Sequence, residues 1–332
     1  MSHAELTAEL ARLTAARRVT PDDVRRLRGL VYGDAEASLT EAATLLAIDA
    51  GLSERCRPWT DFLAEAVTDL LVRQEMPAGY VTQEKADWLV DHISVDGVVQ
   101  QDSELHVLVH VLEAADEAPA ELAAFALRQV AAAVIHGSGP LACGGRLEPG
   151  HVTADEVALI RRILYAGGSE HGLSVSRAEA EVLLAIDAAT AEADNDPAWT
   201  TLFSNGLAAA LMAPRAFTPP PRAEALRQEG WLADTSVNPG RFLGRAFGGG
   251  LSFLTGRRGA ALEDPFEVRA AEMTRARAEA EVITEAEADW LLEQLPLDRP
   301  LSPAAEALLA RLKAEAPVMP ERLHRLVNAR AA

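Results

Sequence analysis

Apolar side chains recur along this chain every three or four residues, the period of a helix with one buried face. After Trp59 they fall at Phe62, Leu63, Val67, Leu70 and Leu71, and after Trp199 at Leu202, Phe203, Leu207, Ala210 and Leu211. A third stripe runs through Leu105, Leu108, Val109 and Leu112. β-Branched runs of the kind that favour strands are scarce, whereas Ala and Leu, strong helix formers, are abundant. Thr20, Thr82, Thr153 and Thr284 each precede acidic residues, the mark of a helix N-cap with favourable first-turn charge. The pattern predicts an all-α fold with no significant sheet, its helices joined by short polar loops.

The pattern also repeats. Val19-Thr20-Pro21-Asp22-Asp23-Val24 returns as Val152-Thr153-Ala154-Asp155-Glu156-Val157, and Tyr32 as Tyr165. Leu45-Leu46-Ala47-Ile48-Asp49 returns unchanged as Leu183-Leu184-Ala185-Ile186-Asp187, each string four residues after a Glu (Glu41, Glu179). Pro58-Trp59-Thr60 is echoed by Pro197-Ala198-Trp199-Thr200. A second unit, opening with Thr82-Gln83-Glu84-Lys85-Ala86-Asp87-Trp88-Leu89, returns as Thr284-Glu285-Ala286-Glu287-Ala288-Asp289-Trp290-Leu291. Its register carries Asp96 onto Asp298, Glu104 onto Glu306, and His106 and His110 onto Leu308 and Leu312. Such self-similarity predicts tandem helix–loop–helix units in an α-solenoid or paired bundle.

The expected order is a first lobe, 1–137, holding units at 19–76 and 80–137, then a Gly- and Pro-rich linker at 138–151. A second lobe, 152–332, holds units at 152–213 and 282–332 around an insertion at 214–281.

Composition narrows the functions. Hydrophobic residues are 49% and aromatics only 5%, a globular balance whose core rests on aliphatic side chains. The net charge of −19 repels phosphate backbones and argues against nucleic-acid binding, while suiting cations and basic partners. Lys occurs only at Lys85 and Lys313, an Arg-heavy bias read as bacterial genomic composition. No apolar run approaches the ~20 residues of a membrane span, and no secretory leader is evident. Two distant cysteines, Cys56 and Cys143, fit free thiols in a reducing cytoplasm.

The loop Ser94-Val95-Asp96-Gly97-Val98-Val99-Gln100-Gln101-Asp102-Ser103-Glu104 combines an Asp-Gly turn, a β-branched pair and a helix-starting Glu. With Trp88 before it, this segment resembles the EF-hand and the TerB-like helical domain of tellurite-resistance and DjlA-type proteins. The Leu122–Val130 phrase, following Ala86-Asp87-Trp88-Leu89, is also similar to a bacterial family with no assigned function. The TerB-like resemblance implies divalent-cation binding through Asp96, Asp102 and Glu104. Calcium-loop chemistry fits poorly: with Gly97 as the loop glycine, the carboxylate expected at the last position falls one residue late, at Glu104. The plainer reading is an Asp-Gly turn with Glu104 in the first turn of a helix.

His106 and His110, four apart with Glu113 nearby, share one helix face and have the spacing of a transition-metal chelate. A half-buried contact face is the plainer alternative. Trp59, Trp88, Trp199 and Trp290 repeat at equivalent places, which favours core packing over a cofactor platform. No phosphate loop, dinucleotide fingerprint or nucleophile elbow is present, so neither a catalytic residue nor a cofactor is expected.

The insertion opens with Pro219-Pro220-Pro221 and contains Gly248-Gly249-Gly250. From 215 to 258 it carries seven Arg against three acids inside an otherwise acidic chain. Arg241, Phe242, Arg245, Phe247 and Phe253 are the candidate partner-binding residues, and 240–258 is the candidate for peripheral membrane contact. The segment could equally fold back on its own acidic body. The expected function is a non-enzymatic interaction or adaptor protein, with cation binding as the alternative.

Overall fold

The computed structural model describes residues 3–32, 39–139, 141, 149–166, 175–212, 283–316 and 318–330. The chain is predominantly α-helical, as the apolar period predicts. The first half comprises α1 (His3–Ala16), α2 (Pro21–Val31), α3 (Leu39–Gly51), α4 (Arg57–Thr68), α5 (Gln83–Ile93), α6 (Asp102–Ala114) and α7 (Ala120–His136). A π-helical stretch, Asp69–Gln74, prolongs α4. The second half comprises α8 (Ala154–Ala166), α9 (Arg177–Ala189), α10 (Pro197–Met212), α11 (Glu285–Gln294), α12 (Pro303–Glu315) and α13 (Glu321–Arg330). Each unit read from the sequence thus contains three described helices, where helix–loop–helix pairs are expected from the pattern. Among the described residues, no helix is long and apolar enough to cross a membrane.

The one sheet among the described residues is a hairpin of β1 (Ser94–Val95) and β2 (Val98–Val99), antiparallel, with Val95 opposite Val98. Asp96 (φ 52°) and Gly97 (φ 77°) both lie in the left-handed region, which a two-residue turn of this hand demands and which Asp-Gly tolerates. The sequence pattern shows the turn but not the strands around it.

The helix starts follow the local chemistry. Thr20, Thr153 and Thr284 exchange bonds with the acid three residues on, and the Thr82 hydroxyl accepts the Lys85 amide. Ser176 with Glu179 adds a further reciprocal cap on α9.

Packing explains why α7 differs from α1 and α13. Helix α7 packs on α6 behind it and on α8 and α9 ahead of it. Helix α1 touches α2 and α3 in the way α7 touches α8 and α9, while α13 packs on α11 and α12. An inner helix must be apolar on two sides, and a terminal one on one side only. Accordingly α7 buries Leu122, Phe125, Leu127, Val130 and Val134 together with a run of alanines. Helix α1 buries Leu6, Leu10 and Leu13, and α13 buries Leu323 and Val327. One continuous apolar cluster therefore runs through both halves, and they share this core through α7.

Measured from the caps, the two segments expected to correspond are spaced differently. Helix α5 begins after Thr82 and α11 after Thr284, but α6 begins after Gln101 and α12 after Ser302. Counted from the caps of α6 and α12, His106 and His110 correspond to Ala307 and Arg311, all four half-buried. Leu308 and Leu312, the partners expected from sequence, are fully buried. Glu104 is buried and Glu306 exposed, so they do not share an environment. Leu105, Val109 and Leu112 are buried, whereas the cap-matched Glu306, Ala310 and Lys313 are exposed.

Lys85, one of the two lysines, is buried, and its ammonium donates to the carbonyls of Glu75 (2.6 Å), Pro77 (2.8 Å) and Tyr80 (2.7 Å). It gathers the loop between the π-helical stretch and α5. That loop is held from the other side by Val81 N–H on the Glu117 carbonyl and Asp116 N–H on the Gly79 carbonyl.

Candidate functional site

Among the described residues, two buried carboxylates, Asp49 and Asp187, each tie three helices together. Asp49, at the end of the Leu-Leu-Ala-Ile-Asp string in α3, is fully buried. Its Oδ1 accepts Trp59 Nε1 from α4 (2.7 Å) and Arg55 Nε (3.0 Å), and its Oδ2 accepts the Ser103 hydroxyl from α6 (2.5 Å). Asp187, in the same string in α9, repeats the plan. It accepts Trp199 Nε1 from α10 (3.2 Å) and the Ser302 hydroxyl at the start of α12 (2.6 Å). One hub thus joins α3, α4 and α6, and the other joins α9, α10 and α12. Each tryptophan leans on a neighbouring phenylalanine, with ring centroids 6.0 Å apart for Trp59 and Phe62 and 5.7 Å for Trp199 and Phe203.

The two hubs differ in charge balance. Arg55 sits against Asp49, with bonds to both its side chain and its backbone carbonyl. Among the described residues no cation hydrogen-bonds Asp187, and burial pushes its carboxyl up, against the pull of the Ser302 and Trp199 bonds and of the more distant Arg299 charge. Sequence reasoning picks out both strings but passes over their last residue. The available signal is an acid closing the same apolar string twice, with a tryptophan some ten residues later.

The residues expected to bind a cation are not drawn together. Asp96 is exposed at the tip of the hairpin. Asp102 is exposed at the start of α6, where its Oδ1 accepts the Ser103 amide (2.9 Å). Glu104 is buried, and its Oε2 accepts the amides of Gln100 (3.1 Å) and Gln101 (2.9 Å). It closes the N-terminus of its own helix, the plainer of the two roles read from sequence. Among the described residues, no group of three or more His, Cys, Asp or Glu could hold a metal ion.

Burial raises the Glu104 carboxyl to about 6, partly opposed by the Gln101 and Gln100 amides. The folded value lies above the unfolded one, so the stability tied to this proton is fully present below about pH 4.5 and is lost as pH rises through about 6. Gln accepts the same amides without a charge. Glu104→Gln should therefore raise stability by about 1–2 kcal/mol near pH 7.5 and flatten the pH dependence between 4.5 and 6. Urea titrations of both proteins across that range test this. A loss of stability at pH 7.5 would show that the carboxylate charge itself is needed.

On the opposite side of α6, His106 and His110 lie side by side with ring centroids 6.2 Å apart. His106 Nε2 stands 3.9 Å from Asp61 Oδ1 on α4, and His110 Nδ1 lies 2.9 Å from the buried Thr68 hydroxyl. Burial, then His110, lowers the pKa of His106. Glu113, the third member read from sequence, is taken by Arg162 of α8 in a two-pronged ion pair (2.7 and 2.9 Å) that depresses its carboxyl.

Three of the four repeated tryptophans are core residues: Trp59, Trp199 and Trp290 are buried. Trp88 is half-buried and stacks on His92, with centroids 4.3 Å apart. Cys56 is a half-buried free thiol preceding α4, and Cys143 lies outside the described residues. Arg241, Phe242, Arg245, Phe247 and Phe253 also lie outside them, as does the whole 240–258 segment. A cavity of about 290 Å³ opens between α12 and α13, lined by Lys313, Val318, Met319, His324, Val327 and Asn328.

No family model, curated protein or solved structure matches this chain.

Proposed function

We propose that this chain is a non-enzymatic helical interaction protein, whose acidic body presents the basic and apolar insertion 214–281 to a protein partner. The observation that carries this reading is the use made of the buried polar groups. Asp49, Asp187, Glu104, Glu179 and Lys85 are each bonded to helix ends, loops or neighbouring helices, which is scaffold chemistry. The continuous core through α7 makes the two halves one support. The insertion interrupts that support between α10 and α11, and its Arg and Phe residues contrast with the net charge of −19. The same reading includes an internal duplication, supported by the matching helix order and the two carboxylate hubs, and a cytoplasmic setting. The alternative, cation binding through Asp96, Asp102 and Glu104, has weaker support because Glu104 is spent on capping α6.

The first half supplies the design of a test. There, residues 75–82 suffice to join the end of the α4 extension to α5. Replacing 214–281 by a Gly-Ser linker of that length should leave the helical circular dichroism and the melting temperature close to those of the full chain. Association with the partner should be lost. Partners retained on the full chain by crosslinking and mass spectrometry, and retained equally by the shortened one, would reject the insertion as the docking element. If the shortened chain does not fold, Arg241→Glu with Phe247→Ser in the full chain asks the same question.

A further inference from the structure

We propose that Asp87 and Trp88 on α5 form a docking point for an arginine of a basic partner protein. The second half supplies the template. There Asp289 and Trp290, in the same Ala-Asp-Trp-Leu phrase, are each engaged by an arginine of this chain. Arg322 of α13 donates to Asp289 Oδ1 (2.6 Å), and the Arg177 guanidinium of α9 lies over the Trp290 ring, 5.0 Å from its centroid.

The first half keeps the acid and the indole but not the arginines. Counted back from the identical Leu-Leu-Ala-Ile-Asp strings, the place of Arg177 falls to Leu39 on α3, a helix that packs on α5. Counted from Pro119 and Pro320, which precede α7 and α13, the place of Arg322 falls to Glu121. Asp87 is exposed, and among the described residues its side chain accepts a bond only from Gln83, 2.8 Å away. Asp91, three residues from Trp88 and one turn from Asp87, is exposed on the same side of the helix and makes no ion pair among the described residues. Trp88 is half-buried beneath His92, which is held by a single bond of 2.7 Å to the Trp88 carbonyl. Exposed side chains change rotamer within nanoseconds, so His92 can turn aside for an incoming guanidinium.

Arginine suits this surface better than lysine, because its planar group both stacks on an indole and bonds a carboxylate through two N–H groups. The net charge of −19 attracts a basic partner and disfavours a second copy of the same chain. The proposal concerns α5 and does not rest on the docking role of the insertion 214–281.

Titrating the full chain, carrying isotope-labelled tryptophan, with a synthetic peptide of alternating glycine and arginine tests this by nuclear magnetic resonance. The Trp88 indole signal should shift saturably while those of Trp59, Trp199 and Trp290 stay in place. Asp87→Asn/Asp91→Asn and Trp88→Leu should each weaken binding by about 10-fold. A lysine version of the peptide should bind more weakly than the arginine one. An unmoved Trp88 signal would overturn the proposal, as would parent-like affinity in the Asp87→Asn/Asp91→Asn variant, the mark of diffuse attraction to an acidic surface. Binding seen only after 214–281 is replaced by a linker would give the surface to this chain's own insertion and overturn its assignment to a partner. If Trp88→Leu does not fold, the double variant carries the test alone, since both of its positions are exposed.

Discussion

Asp49→Ala should lower the free energy of unfolding by about 3–5 kcal/mol, as expected when one member of a buried charged pair is removed. The substitution strands three donors at once: Trp59 Nε1, the Ser103 hydroxyl and the Arg55 guanidinium. Trp59 and Ser103 are fully buried, so water cannot replace the lost acceptor without opening the α3–α4–α6 junction. Asn is the informative second change. At either hub the Asn oxygen can still accept the tryptophan Nε1–H, while its amide nitrogen donates to the serine hydroxyl, which turns from donor to acceptor. At Asp49 the charge opposite Arg55 goes. At Asp187 burial has raised the carboxyl, so its folded value lies above the unfolded value. The linked stability is full below about pH 3.8 and is lost as pH rises through the folded value, making ionised Asp187 a net cost at neutral pH. Asp187→Asn removes that cost and should be the milder of the two. Urea unfolding of Asp49→Ala, Asp49→Asn and Asp187→Asn at pH 7.5 reads the ranking directly. An Asp49→Ala cost within the ~0.5 kcal/mol of a surface substitution would mean the hub is incidental to the packing.

Lys85→Met should cost about 3 kcal/mol or more, since hydrogen bonds to a charged group are each worth about 1.5–3 kcal/mol. Met fills the space of the methylene stem but offers nothing to the carbonyls of Glu75, Pro77 and Tyr80. Lys85→Arg should fail to restore the site, because a planar guanidinium cannot replace three bonds converging on one nitrogen. The damage should be local first. Amide exchange should accelerate at Gly79 and Val81, whose N–H groups bond Val72 and Glu117 across this loop. Parent-like stability of Lys85→Met, with unchanged exchange at those amides, would show that the loop is held by its backbone bonds alone.

Much of this protein was legible before its structure. The 3.6-residue period and the Thr caps marked the helices because both are local: a cap bonds the third residue on, and a stripe needs only its own helix. The repeated strings are local in the same way, each being a packing face and its cap. The carboxylate hubs were half-legible. Asp49 and Asp187 stood in plain view at the ends of identical strings, but their partners lie as far away as Ser103 and Ser302. Nothing in a one-dimensional pattern links Asp187 to a serine 115 residues on.

Metal readings divided along the same line. Sequence spacing grouped Asp96, Asp102 and Glu104 because they lie within one loop, yet the helix start turned Glu104 inward onto the amides of Gln100 and Gln101. The His106–His110 pair was visible from its spacing alone, since four residues along a helix is one turn. Its neighbours were not: Asp61 and Thr68 come from α4, and Glu113 is claimed by Arg162 of α8.

By itself, then, the sequence determines that the chain forms helices and, at Thr20, Thr82, Thr153 and Thr284, where four of them begin, because each of these rests on neighbours within about four residues. Tertiary structure alone decided which faces of those helices are shared. It made α7 apolar to both halves and left the cap-matched positions of α12 facing outward. It also brought Asp61 to His106 and Ser302 to Asp187. Such choices depend on which helix lies alongside, and packing between distant segments leaves only a faint trace in the local pattern.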